Sequence, residues 1–436
     1  MLGRGVGFGG SAGGAGCSPS AAKPGVRATV LRKSRRGVPL PSSASKPDTI
    51  FDMMRHSIAI VLVAAACLAW AATRTDEIPF SKQTLDLGAS ETCTFADING
   101  DGRQDIVSGE YWYEGPRWIR HKFRSLSYSN NYIDNFSDLA VDVNQDGRVD
   151  IVSCSYFTRK LVWMENPGKG EGLWKEHDID SGFSGEFTFL VDLNNDGKAL
   201  ELLPQYGQAD SPTVFYELSN GKYEKRLVNP KNQGHGIGAG DVNGDGRRDV
   251  LTPKGWFEAP NWLYHPDWSL PSTGFMFVLD INGDGRKDVF TTLAHDYGIF
   301  WLERGDGNTW TKRIIDDSWS QPHAVTMVDL NGDGRMEFVT GKRYMAHNGR
   351  DPGEREPLGI YWYEYMKTDD GKRVEWIKHI IDYSTRTGGG MQIAVADLDA
   401  DGDLDIAAPG KSGLFLFENL TKSPRVPPGR KGFGRN

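Results

Sequence analysis

The sequence predicts an all-β fold: a seven-bladed β-propeller with four-stranded blades, its ring closed by an N-terminal strand. Three observations predict it. A nine-residue acidic pattern recurs seven times, strand-like alternations bracket the copies, and the outer strand lacking after the last copy is present before the first.

The acidic pattern reads D-x-N-x-D-G-x-x-D and runs straight into apolar residues. Its copies are Asp97/Asn99/Asp101/Asp105, Asp142/Asn144/Asp146/Asp150, Asp241/Asn243/Asp245/Asp249, Asp280/Asn282/Asp284/Asp288, Asp329/Asn331/Asp333/Glu337 and Asp397/Asp399/Asp401/Asp405. A degenerate copy has Asp192, Asn194 and Asp196, but Leu200 holds the ninth place and the acid arrives one residue late as Glu201. First acids are 45, 50, 49, 39, 49 and 68 residues apart, the length of a propeller blade rather than of a helical repeat.

Before the loops run alternations such as Phe187-Phe189-Val191 or Phe275-Phe277-Leu279, and after them runs such as Asp105-Ile106-Val107. These supply the first two strands of a blade. A third strand is aromatic and ends in an acid, as from Tyr111 to Glu114 or Ile360 to Glu364. The fourth opens on an aromatic residue with His or Arg three places on: Trp118/His121, Trp174/His177, Trp262/His265, Trp310/Arg313 and Trp376/His379 are examples. No such strand follows Glu418, whereas Phe80/Gln83/Leu85/Asp86 has the register of Trp310/Arg313/Ile315/Asp316. Residues 80–420 are therefore expected to close on themselves and leave no long exposed edge.

The flanks differ from this body. Residues 54–71, MRHSIAIVLVAAACLAWA, join a basic start, an apolar run and a small-x-small site, so 53–71 reads as a secretory signal peptide. Residues 1–52 are expected to be a disordered or over-extended start, with translation beginning at Met53 or Met54, and 421–436 a disordered basic tail. The mature chain is then exported, to the periplasm, cell surface or medium, with no stable membrane span. Within the total of −8, residues 1–71 carry +7 and residues 72–436 carry −15. Such an acidic body excludes nucleic acid as the main partner. Four cysteines in 436 residues exclude a disulfide scaffold.

The loops and their placement resemble the FG-GAP (VCBS-type) repeats of the seven-bladed propeller of integrin alpha chains and of many exported bacterial proteins, over about residues 80–420. That resemblance implies Ca²⁺ in the loops. The residues imply the same, because oxygen donors at places one, three, five and nine around a glycine turn suit Ca²⁺ better than Mg²⁺. The metal-free alternative is an Asx-turn hairpin whose acids cap backbone N–H groups, towards which the 192–201 copy leans. All the loops fall on one face, so their ions are expected to be structural.

Chemistry is expected on the opposite face, where the first strands begin. Glu91, Phe136, Glu186, His235, Gly274, His323 and Met391 should line the mouth of the central channel. Loops between second and third strands add Arg159, Lys160, Tyr206, Lys254, His295, Asp296, Lys342, Arg343, His347 and Lys411, and the entries to first strands add Trp319, Gln321, Tyr383 and Arg386. His121, His177, His265 and His379 share one outer-strand register and are expected to pack. His235, His295, His323 and His347 break the repeat, which makes them, with Arg343, the candidate catalytic residues. Imidazole with carboxylate suits Zn²⁺. A lyase arrangement is a second reading, with His as base or acid and Arg or Lys holding a sugar carboxylate. The runs Gly234-His235-Gly236 and Gln321-Pro322-His323 also look like the propeller part of aldos-2-ulose dehydratases.

The leading functional expectation is a non-catalytic, exported calcium-binding propeller that recognises a glycan or protein surface. The alternative is a sugar-processing enzyme of polysaccharide-lyase or dehydratase type, with its His-rich site at the end of the channel away from the calcium loops. No Gly-x-Ser-x-Gly elbow sits between a strand and a helix, and the glycines of the body belong to the acidic repeats rather than to a strand-turn-helix phosphate cradle.

Overall fold

The computed structural model describes residues 76–168, 172–368 and 373–422. The expected signal peptide, the segment before it and most of the basic tail lie outside the described residues. Among the described residues no helix is long and apolar enough to cross a membrane.

The chain forms an all-β propeller. The expectation of seven separate four-stranded blades is corrected: five four-stranded sheets stand as separate blades, and the strands of two further repeats make one eight-stranded sheet. A two-stranded hairpin, Tyr128–Ser129 with Tyr132–Ile133, is added beside them. The five blades are Cys93–Ala96 to Ile119–Lys122, Ser137–Val141 to Lys175–Ser181, Gly185–Val191 to Lys222–Asn229, Pro322–Val328 to Val374–Tyr383, and Ala394–Ala396 to Gly413–Asn419 completed by Phe80–Asp86.

The eight-stranded sheet has a physical cause in the sequence Ile237-Gly238-Ala239-Gly240. Its strand, Ile237–Gly240, pairs in parallel with Phe275–Leu279, Ile237 opposite Phe275 and Gly238 opposite Met276. A Cβ on Gly238 would lie 1.9 Å from the Met276 carbonyl oxygen, and one on Gly240 would lie 2.5 Å from Val278 Cβ. Only glycine lets these two inner strands reach hydrogen-bonding distance. Between other neighbouring inner strands a side chain supplies the bond: Ser137 Oγ accepts the Thr188 N–H at 2.8 Å and the Thr326 hydroxyl donates to the Ile393 carbonyl at 2.7 Å.

Phe80–Asp86 runs antiparallel to Gly413–Asn419, from Phe80 opposite Asn419 to Asp86 opposite Leu414. Distant parts of the chain are thereby joined, Lys82 also meeting Asp382 of the preceding blade at 2.5 Å.

Two side-chain devices repeat around the body. In the first, a fourth-strand His stacks on a third-strand Trp and bonds its acid: Trp112/His121/Glu114, Trp163/His177/Glu165, Trp256/His265/Glu258 and Trp362/His379/Glu364, with ring centroids 3.8–4.2 Å apart. These four histidines pack, as their shared register implies. In the second, an acid at the end of a fourth strand accepts a Tyr hydroxyl and a cation from the next sheet. Asp86 takes Tyr113 and Arg120, Asp180 takes Tyr216 and Lys225, and Asp316 takes Tyr363 at 2.6 Å and Lys378 at 2.8 Å.

Burial alone would raise these three carboxyls, but their hydrogen bonds outweigh it and hold all three below the usual range. A carboxyl depressed in the folded state contributes stability above its unfolded value near pH 4 and loses it as pH falls further. Asp316→Asn is accordingly expected to cost about 1.5–3 kcal/mol at pH 7. The difference from wild type should shrink below pH 4 in urea melts, and a gap unchanged at pH 3 would refute the assignment.

Candidate functional site

Strand ends bring the candidate residues to one end of the channel. Glu186 opens the strand Gly185–Val191, His235 precedes Ile237–Gly240, and His323 lies in Pro322–Val328. His295 comes from the turn between Asp288–Thr292 and Tyr297–Arg304. Arg343, His347 and Asp351 come from the connection between Glu337–Lys342 and Gly359–Lys367.

Glu186, His235, His295 and His323 each offer one donor atom, and these atoms lie within 4.8 Å of one another. His235 Nε2 is 3.3 Å from His295 Nε2 and 3.6 Å from Glu186 Oε1, which is 3.8 Å from His323 Nε2. Ligands about 2.1 Å from a shared tetrahedral ion are separated by about 3.4 Å, so this spacing is that of donors around a cation. The 3.6 and 3.8 Å separations from Glu186 are too long for hydrogen bonds, whereas the His235–His295 pair at 3.3 Å is within reach of one.

The protonation states agree with that geometry. His323 is fully buried, and neither of its ring nitrogens has a hydrogen-bond partner. Burial, with Arg343 nearby, holds it well below the usual imidazole range. Burial and the neighbouring His235 likewise push His295 down to about 2. Burial works against ionised Glu186, but His235 and Arg343 overcome it and bring the carboxyl down to about 2. Burial also opposes a charge on His235, and the Glu186 carboxylate raises it nonetheless. At 3.6 Å that attraction is between charges rather than through a hydrogen bond. His235 Nδ1 donates to the Thr273 carbonyl at 2.7 Å, which leaves Nε2 facing the cluster. A buried imidazole with two bare nitrogens is costly unless something else occupies the site.

Around the cluster, Arg343 is only 2% exposed, with Nε 3.3 Å from Glu91 Oε2 and Nη1 3.8 Å from Glu186 Oε1. Its Nη2 has no partner. The guanidinium faces the rings of Tyr132 and Phe136, and Lys411 Nζ lies 3.5 Å from the Tyr132 centroid. The hairpin bearing Tyr132 touches the 343–358 connection, where Asn131 Nδ2 donates to Asn348 Oδ1 at 3.2 Å. Two insertions thus meet above the basic and aromatic mouth.

Other expected mouth residues are held elsewhere. Lys160 pairs with Glu176, Lys254 bonds Ser269 and the Leu270 carbonyl, Trp319 donates to Tyr363, and Lys342 is buried against Ser320. Asp351 escaped the sequence reading. Its Oδ2 lies 2.7 Å from His347 Nδ1 and 3.2 Å from His295 Nδ1. The available signals were the spacing of 68 residues after Asp329 and an acid four places after His347.

The acidic loops show both of the expected arrangements. Three acids converge within 4.8 Å in two copies among the described residues, Asp329/Asp333/Glu337 and Asp397/Asp399/Asp405. In these two copies buried oxygens, Glu337 Oε1 and Asp397 Oδ1, are left without partners. Burial, followed by acidic neighbours, pushes Glu337 and Asp405 up to about 7.

Asx-turn bonds run through the loops alike, the Asp329 and Asp397 copies included: Asp329 accepts the N–H groups of Asp333 and Gly334, and Asp397 accepts that of Gly402. Asp97 accepts N–H groups from Gly100, Asp101 and Gly102, and Asp105 accepts those of Ile98 and Gly115. Asp142, Asp241 and Asp280 cap the same turn in their copies, and the ninth-place Asp150, Asp249 and Asp288 accept the N–H groups of Val143, Val242 and Ile281. The third-place amides serve the loop as well. Asn99, Asn144, Asn243 and Asn282 each accept the fifth-place N–H at 3.0–3.1 Å. Asn144 also donates to Asp146 at 3.0 Å and Asn282 to Asp284 at 3.1 Å, while Asn243 reaches Glu258 at 3.2 Å.

Fifth-place acids are turned the same way. Asp146, Asp245 and Asp284 accept the N–H groups of Arg148, Arg247 and Arg286, and the Arg148 and Arg286 guanidinium groups pair with Asp146 and Asp284. Asp333 pairs with Arg335 in the same way while also belonging to the Asp329/Asp333/Glu337 cluster. Asp401 lies outside the Asp397/Asp399/Asp405 cluster and accepts the Asp403 N–H at 3.0 Å. In the degenerate copy Asp192 and Asn194 accept the N–H of Asp196, and Glu201 plays the ninth-place part, its longer side chain reaching Leu193 N–H and Asn194.

Comparisons with known proteins bear on the fold. A family described as FG-GAP-like repeat matches residues 142–203 and 280–340. No curated protein matches the chain significantly. Among solved structures, the chain is similar to BBS1N, crystallised in complex with ARL6DN, at 10% identity and a TM-score of 0.50, covering 81% of this chain and 99% of that one. It also matches the exotype rhamnogalacturonan lyase YesX, at 12% identity, a TM-score of 0.42 and coverage of 80% and 74%. The rhamnogalacturonan lyase YesW follows at 11%, 0.41 and coverage of 79% and 75%. The integrin-alpha and aldos-2-ulose dehydratase likenesses are corrected: the matched family supports an FG-GAP-repeat propeller and names neither.

Proposed function

We propose that the protein is an exported carbohydrate-processing enzyme of the polysaccharide-lyase type, centred on a transition-metal ion held by Glu186, His235, His295 and His323. The observation that carries this reading is the convergence of three imidazoles and one carboxylate within 4.8 Å, with both nitrogens of buried His323 unpartnered. The nitrogen-rich donor set suits Zn²⁺.

A divalent cation there supplies a Lewis acid for an anionic oxygen such as a uronate carboxylate. Arg343 adds fixed positive charge 3.8 Å from Glu186. His347, with its side chain 47% exposed and held by Asp351, is placed to exchange protons with a bound sugar. In the β-elimination it takes the proton from the carbon next to the carboxylate. That electron pair forms the ring double bond, the bond from the adjacent carbon to the glycosidic oxygen breaks, and the leaving oxygen takes a proton from water while His347 returns its own to solvent. The aromatic and basic mouth, with Tyr132, Phe136 and Lys411, favours a sugar acid over an apolar substrate. Binding without catalysis, the leading expectation from sequence, accounts for the calcium loops but gives the buried cluster no task.

The test uses the full chain loaded with Zn²⁺ and offered uronate-containing polysaccharides. A stoichiometric bound metal and a rising ultraviolet absorbance from unsaturated product are expected, both lost in His323→Ala. Protein that takes up no transition metal and yields no product would remove this reading.

Calcium is proposed for the Asp329 and Asp397 loops, supported by their convergent acids and orphan oxygens. At a hundredfold excess over Kd each site adds about 2.7 kcal/mol. Two sites are then expected to raise the melting temperature by roughly 10 °C over protein in chelator. Identical melting curves in 1 mM Ca²⁺ and in chelator, ~1 mM being the level extracellular calcium sites are tuned to, would refute it.

A further inference from the structure

The geometry points to Asp351 as a positioning residue for the metal centre, one that fixes the His295 ring from outside the ligand set. The inference rests on the metal reading above and adds to it a residue that is not itself a ligand.

His295 faces two ways. Its Nε2 lies 3.3 Å from His235 Nε2 inside the cluster, and its Nδ1 lies 3.2 Å from Asp351 Oδ2 on the other side. A neutral imidazole carries one N–H, so Nε2 can offer a lone pair to a cation only when the proton sits on Nδ1. Asp351 is the acceptor placed to keep it there. His235 is arranged alike, its Nδ1 proton given to the Thr273 carbonyl at 2.7 Å. A carboxylate in that place makes the ring a stronger donor than a carbonyl does.

The contact is close without being aligned. Nδ1 of His295 has no hydrogen-bond partner of proper direction, although the carboxylate oxygen is within reach. The same oxygen receives Nδ1–H of His347 at 2.7 Å, and the two imidazoles stack with centroids 4.5 Å apart and planes 25° apart. His295, His347 and Asp351 also offer donor atoms within 4.8 Å of one another, and an ion taken there would make His347 a ligand whose loss weakens binding as much as the loss of Asp351.

Asp351 is set by its loop. The Glu354 carboxylate accepts the backbone N–H of His347, and Asn348 bonds the hairpin residues Asn130 and Asn131. The orientation of a metal ligand therefore depends on the insertion that roofs the mouth. A short connection between second and third strands could not supply that link.

Cobalt(II) is the probe, because its visible absorption reports ligand geometry without any enzyme assay. In the full chain, Asp351→Ala is expected to bind Co²⁺ about 10–100-fold more weakly than wild type, with altered visible bands. Asp351→Asn, whose amide oxygen still accepts, should recover most of the affinity. His347→Gln should leave affinity within about twofold, since His347 only shares the oxygen. Asp351→Ala with wild-type Co²⁺ affinity and spectrum would overturn the inference, and so would an equal loss in His347→Gln. Should wild type itself bind no Co²⁺, the metal reading falls and this inference with it. A wild type that binds beside an unaffected Asp351→Ala sinks the inference alone.

Discussion

His323→Leu is expected to melt higher than wild type in metal-free buffer while losing its transition-metal affinity by about two to three orders of magnitude. The two effects share one cause. In the metal-free fold His323 is a fully buried imidazole with both nitrogens unpartnered, flanked by Arg343, His235 and His295. Each unsatisfied buried polar atom costs about 1–3 kcal/mol, and leucine of similar volume removes both. Packing supports the swap, because His323 meets Phe187 edge to face at 5.8 Å between centroids. Metal affinity moves the other way, because tight sites draw about 10–16 kcal/mol from their full ligand set and one lost ligand forfeits a large share. Calorimetric melts with and without Zn²⁺, together with competition against a chromogenic chelator, read both quantities. A variant less stable than wild type without metal would mean that the site is an ordinary polar cluster satisfied by solvent. A variant that keeps its Zn²⁺ affinity would exclude His323 from the ligands.

Such a trade of stability for a ligand position is hard to read from sequence. The four cluster residues come from four different strands or turns, and no local spacing links Glu186 to His323. What sequence offered was a difference: four histidines keep the outer-strand register and four do not. The first set stacks on Trp112, Trp163, Trp256 and Trp362, and three of the second set converge, with His347 next to them. Asp351 stayed hidden because it belongs to an insertion with no counterpart in other repeats, where periodicity carries no information. The sheet count was missed for the opposite reason. Seven acidic repeats imply equal units, yet Gly238 and Gly240 let the inner strand Ile237–Gly240 approach its neighbour, and two repeats merge through backbone pairing. Six regular loop copies look alike in sequence, while three acids converge in two copies among the described residues. The hydrogen bonds do not separate the copies, since Asn331 and Asp333 bond a backbone N–H and Arg335 just as Asn144 and Asp146 bond theirs.

Deleting residues 76–88 is expected to lower the melting temperature by roughly 10–25 °C and to leave an aggregating chain. The segment carries Phe80–Asp86, which forms six register pairs with Gly413–Asn419. At about 1 kcal/mol for each lost backbone bond the loss is about 6 kcal/mol, and a large domain loses about 2–4 °C per kcal/mol. The strand is also bound on both sides. Lys82 meets Asp382 of the preceding blade, and Asp86 takes Tyr113 and Arg120 of the following one. Its removal therefore opens the joint between first and last repeats as well as one sheet, and uncovers the edge of a strand whose Leu414 and Leu416 are buried. An unpaired apolar edge recruits other chains, so light scattering should rise with concentration. A synthetic peptide of residues 76–90 added in trans should restore part of the melting temperature, because it supplies the same backbone groups and the same two charged contacts. Peptide with Lys82 and Asp86 both changed to Ala should restore less, which separates the inter-blade contacts from simple strand addition. A deletion variant that melts with the full chain would show that the last blade stands without its outer strand, and that the ring owes its closure to the inner strands alone.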